Sequence, residues 1–147
     1  MSIGIRSAFN TSANVAIATN IVPATVGLTS PIAAGQTQKF RAWIPFSVGA
    51  TGGIRALLVV PAAGVLFITS YRLNNTVAPS ATIAEQVASG TAFTNAAANA
   101  GNHWLEIEGV VVNGANKGTI DIQLAQNTSD ALTLTTLRGA TLEVLSL

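Results

Sequence analysis

The chain has 147 residues, only 9% of them charged, a formal net charge of +1 and no cysteine. That length suits one domain with a real core. The missing cysteines exclude disulfides, thiolate zinc sites and thiol catalysis, and the seven scattered basic residues form no stripe for nucleic acid. A typical domain is about a quarter charged. So sparse a supply points to a surface covered in part by other subunits, as obligate interfaces are.

Residues 1–20 are small and polar, with a single Arg6 and no apolar stretch that would make a signal peptide. They are read as an extended N-terminal arm of low intrinsic order, preceding a domain over 21–147. Two outcomes stand open for it, a free tail or an arm that orders on a neighbouring subunit. From Ile21 onward Gly, Pro and Asn recur at short intervals. That spacing predicts short strands of a β sandwich or barrel.

Phe40, Ala42, Ile44 and Phe46 alternate with Lys39, Arg41 and Trp43, the period of a half-buried strand. Pro45 is expected to end this strand or to put it at an edge. Residues 56–60 and 65–71 are denser apolar runs around Pro61 and Gly64, read as a strand–turn–strand pair. The run is too short to cross a bilayer. Residues 81–100 are Ala-rich yet contain Thr, Val, Phe and a central Gly90, which favours strand and loop over helix. Leu105 and Ile107, then Ile120, Ile122 and Leu124, then Leu142 and Val144 repeat the alternation, with a Thr-rich β segment at 132–137. Residues 113–118 are read as a hairpin turn. The fold class is all-β, one domain of about eight to ten antiparallel strands.

Groups that could carry chemistry are few. His103 is the one histidine, and no G-x-S-x-G sequence accompanies it, so a structural or interface role is expected. Glu106 and Glu108 share one face of a strand. Paired carboxylates can do acid–base work or hold calcium, but two on one strand face are expected to be its solvated side. Gly114, Lys117 and Thr119 lack phosphate-loop spacing. Neither catalytic residues, metal ligands nor cofactor are expected. Trp43 and Trp104 lie opposite the apolar sets of their strands; with Tyr71 they are candidate interface residues, the alternative being burial on both faces of the sandwich.

The final third has a recognisable order. His103, Trp104, Leu105, Glu106, Ile107, Glu108 and Gly109 precede a strand from Gly118 that ends in Ala125, Gln126 and Asn127. Leu137, Arg138 and Gly139 then lead into the last strand. With residues 32–46 and 51–55, this resembles the jelly-roll domain of tailed-bacteriophage virion proteins over roughly residues 22–147. The resemblance implies a homotrimer akin to the tumour-necrosis-factor-like fold. It further implies a structural virion protein, either a capsid decoration (cement) protein or a receptor-binding or fibre-tip module. Only about 20 residues precede the domain, with no fibre shaft, which favours decoration of the capsid surface. The expected partner is then the phage major capsid protein, with no direct nucleic acid and no membrane, after synthesis in the host cytoplasm. Ile5, Arg6, Phe9 and Asn10 are the candidate capsid contacts of the arm. Deletion of residues 2–20 is expected to abolish capsid binding and leave the trimer folded.

Overall fold

The computed structural model describes residues 6–17, 21–49, 53–74, 80–82, 88–95 and 100–147. The strands are β1 (Arg6–Asn10), β2 (Val15–Ala16), β3 (Ala24–Ile32), β4 (Thr37–Val48), β5 (Ile54–Val59) and β6 (Val65–Asn74). They continue as β7 (Ser80–Thr82), β8 (Ala92–Asn95), β9 (Gly101–Val112), β10 (Gly118–Ala125), β11 (Thr135–Thr136) and β12 (Thr141–Ser146). One sheet has the order β1-β12-β4-β9-β6-β7, with β11 joining β2 to β4; the other has the order β3-β10-β5-β8. Every pairing is antiparallel.

The order β1-β12-β4-β9 over β3-β10-β5-β8 is that of an eight-stranded jelly roll. The β6–β7 hairpin is an addition on the far side of β9. The inward positions of both sheets make one core, in which Phe40, Ile44, Phe46, Leu105 and Ile107 are buried with Leu28, Ile54, Leu58, Ile120 and Ile122. The alternation seen along β4, β9, β10 and β12 thus marks the core face of each strand.

Three expectations need correction. First, the segment taken as an arm contains β1, which pairs with β12 along its length, from Arg6 opposite Leu145 to Asn10 opposite Thr141. Part of the segment is therefore the first strand of the jelly roll. A run of small polar residues gave no periodicity, yet the open edge of β12 satisfies its backbone. Second, the connections after β5 and β9 are not hairpins. β5 and β10 belong to one sheet, β6 and β9 to the other, so residues 60–64 and 113–117 are corners that cross between sheets. Third, β4 runs through Pro45 in the interior of its sheet, with Trp104 of β9 opposite. On its other side the ladder is interrupted between the Thr136–Phe46 and Thr141–Trp43 pairs. The Pro45 carbonyl accepts a hydrogen bond from Leu137 N across that interruption, at 2.8 Å. The missing N–H points the same way, where no regular ladder needs a donor.

Three corners meet at one end of the sandwich and are tied by Asn113, which is buried. Its Nδ2 donates to Ala33 O and to Asn116 O, both at 2.7 Å, and its backbone N donates to Gln36 O at 2.9 Å. Asn116 Nδ2 in turn donates to Ala62 O at 3.2 Å. Ala63 adopts a φ of 67°, and its carbonyl lies where a Cβ on Gly114 would come within 2.6 Å. Glycine at 114 lets the corners close on each other.

Candidate functional site

Among the residues whose side chains are described, the outward face of the larger sheet holds six charged ones: Lys39, Arg41, Arg72, Glu106, Glu108 and Glu143. They follow from strand alternation. On β4, Lys39, Arg41 and Trp43 point out because Phe40, Ala42 and Ile44 point in. Register then lines up Arg41 with Glu143 of β12 on one side and Glu108 of β9 on the other. In the next row Trp43 stands between Thr141 and Glu106, and Arg72 lies beyond Glu106.

Arg41 leans towards β9. Its Nε donates to Glu106 Oε1 at 2.7 Å and lies 3.1 Å from Glu108 Oε1, and its Nη2 also donates to Glu106. The hydrogen bond to Glu106, then the charges of Glu106, Glu108 and Glu143, hold the guanidinium above its ordinary range. Glu106 is only 6% exposed, so the expectation that both carboxylates form a solvated side fails for it. A charge at that depth persists because a guanidinium lies over it.

Between β4 and β12 the same face sinks into two adjoining depressions. One, of about 220 Å³, is lined by Lys39, Phe40, Arg41, Glu108, Glu143, Val144 and Leu145. The other, of about 150 Å³, is lined by Arg41, Trp43, Thr141 and Glu143. Arg41 and Glu143 belong to both. At the far end of the face the outward positions turn apolar, with Phe67 opposite Val110 and Val65 opposite Val112. Leu145 and Val110 flank Lys39 there.

Of the candidate interface residues, Trp43 is 42% exposed and Trp104 is half-buried, both on this outward face. Tyr71 is corrected: it is 3% exposed and sits in the core. A bulge between Ile68 and Ser70 shifts the alternation of β6 and turns Tyr71 inward. Burial pushes its phenol well above the ordinary tyrosine value. His103 is also buried, its ring 5.6 Å from that of Phe46. Arg6, Phe9 and Asn10 lie on β1, opposite Leu145, Leu142 and Thr141, while Ile5 is outside the described residues.

Sequence reading missed Arg41, Thr141 and Glu143 as neighbours. Their outward phase was legible, but the pairing of β4 with β12 was not. Among the described residues no helix is long and apolar enough to cross a membrane, and no cluster of three or more His, Asp or Glu could hold a metal ion.

No family model and no curated protein matches the chain. Among solved structures it is similar to a chain of the infectious bursal disease virus T13 particle, with 10% identity, a TM-score of 0.29 and 99% of this chain covered. It is likewise similar to the VP2 subviral particle of the same virus, with 11% identity, a TM-score of 0.24 and 97% coverage. This chain spans 40% of the length of each of those chains. Likeness at that level carries no argument about function.

Proposed function

We propose that this protein is a non-catalytic structural subunit of a virus particle, a homotrimeric decoration protein that sits on the capsid of a tailed bacteriophage. The observation that supports it most is the apolar end of the larger sheet. An antiparallel sheet that faces water carries polar residues outward. Here Val65, Phe67, Val110, Val112 and Leu145 occupy outward positions in adjoining rows. Subunit contacts would remove them from water. A jelly roll with few charges and an outward apolar patch is suited to assembly. Its resemblance to phage virion proteins over residues 22–147 supplies the phage setting. Clamping several capsid subunits at each of many sites would add binding free energy to the closed shell.

The structure changes how the proposal is tested. Deleting residues 2–20 would remove β1, so that truncation probes folding as well as binding. Sedimentation of the intact protein, alone and with expanded phage capsids, is the direct experiment. The expected result is a trimer that pellets with shells in many copies, and a Val112→Lys, Phe67→Lys variant that stays monomeric. A monomer that ignores shells would overturn the reading. A few copies seen at the tail by electron microscopy would replace decoration by a fibre-tip role.

A further inference from the structure

We propose that the depression between β4 and β12 is a carbohydrate site that takes a neutral pyranose sugar. The inference does not depend on the capsid reading. It rests on four side chains that two adjacent strands place in a square: Trp43 opposite Thr141, and Arg41 opposite Glu143. All four line one depression. Directly opposed residues are about 5 Å apart at Cβ. Successive outward residues along a strand are about 7 Å apart. The square is therefore about the size of a single sugar ring.

The chemistry of the corners suits such a ring. An indole offers an apolar plate with a negative face, and the C–H groups on one side of a pyranose carry the opposite polarity. Trp43 is 42% exposed, which leaves its ring open to a ligand. A carboxylate accepts, and a guanidinium donates, two hydrogen bonds in a plane, which matches adjacent hydroxyls. Thr141 adds a hydroxyl that does either.

The site is also held ready. Arg41 is fixed from the β9 side by Glu106 at 2.7 Å and Glu108 at 3.1 Å. Glu106 is buried beneath it. A guanidinium has five N–H donors, more than these contacts use. Little side-chain freedom is then lost when a ligand binds. The charge balance decides the ligand class. Lys39, Arg41 and Arg72 match Glu106, Glu108 and Glu143 in number, so these six leave no cation in excess. An acidic sugar would need one, whereas a neutral one would not. A second copy of the chain is the less suited occupant, since three of the four corners, Arg41, Thr141 and Glu143, are polar.

The test uses the intact protein and its tryptophan emission, since the chain has only two tryptophans. The probes are maltohexaose, cellohexaose and mannohexaose, with an oligomer of galacturonic acid as the acidic control. The expected result is a saturable change in emission with at least one neutral probe and none with the acidic one. Calorimetric titration of the same probe should show Trp43→Ala and Glu143→Gln weakening binding about tenfold or more, with melting temperatures unchanged. Failure of all three neutral probes would overturn the proposal. So would unaltered binding by Trp43→Ala, or binding of the acidic oligomer alone. Loss of the oligomer in Trp43→Ala would assign the hollow to a subunit contact and overturn it as well.

Discussion

Arg41 and Glu106 form a charged hydrogen bond between neighbouring strands, Nε to Oε1 at 2.7 Å, in which the carboxylate is buried and the guanidinium remains open to water. The two residues are not direct cross-strand partners. Glu108 is opposite Arg41, and Glu106 is opposite Trp43. The guanidinium reaches diagonally to the deeper of the two carboxylates. That choice fixes the arginine beside the hollow and gives the buried charge its counterpart.

Arg41→Ala should therefore cost more than an exposed ion pair does. A charge left buried without its partner costs about 1–3 kcal/mol or more, whereas exposed pairs contribute under about 1 kcal/mol. The expected loss is about 2 kcal/mol by urea denaturation, with the slope unchanged. The Arg41→Ala, Glu106→Gln double variant should recover most of it, since no charge is then stranded. A double variant as unstable as Arg41→Ala would refute this account.

Gly109 sits at the centre of β9, where β6 approaches closely. A Cβ there would collide with Phe67 O and lie 2.8 Å from Phe40 Cζ. Neither can yield cheaply, one being backbone and the other a buried ring. Gly109→Ala should destabilise by at least about 3 kcal/mol, read as a lowered melting temperature or loss of soluble protein. By contrast a Cβ on Gly35 meets nothing within 4 Å, and its cost is that of its φ of 67°. Gly35→Ala should cost only about 1 kcal/mol.

Asn113 ties the corners between the two sheets. Asn113→Ala would remove two side-chain hydrogen bonds and leave the carbonyls of Ala33 and Asn116 without them. A loss of about 2–3 kcal/mol follows. Hydrogen exchange should localise the change to residues 33–36 and 113–117, while the central amides of β4 and β9 keep their order of protection. Uniform loss across both sheets would show that the corner is not a separate structural unit.

Tyr71 gives a pH signature. Its pKa is raised in the folded state by burial. Above the ordinary value near 10 the unfolded chain has lost this proton and the folded chain keeps it. Stability then falls with pH, by up to about 1.4 kcal/mol per unit. It is fully present below that value and is lost as pH rises towards the folded pKa. Tyr71→Phe should show a shallower decline in melting temperature above about pH 10. Parallel curves for the two proteins would contradict the burial.

The sequence by itself determined which side of most long strands faces the core. Alternation at residues 39–46, 119–124 and 141–145 carries that information locally, because one face of a sandwich sheet must leave water. It also determined that Trp43, Arg41 and Glu143 point away from the core. It did not reveal β1, which has no alternating apolar pattern and pairs along the edge of β12, nor the inward turn of Tyr71, which depends on a bulge between strands. Pro45 misled for the same reason, since what matters is whether a neighbour needs its N–H. Pairing register and corner geometry arise from contacts between residues far apart in the chain, with no local pattern to announce them. The tertiary structure alone therefore decided that Arg41 lies between Glu143 and Glu108, that Glu106 is covered, and that Trp43 overlooks a hollow.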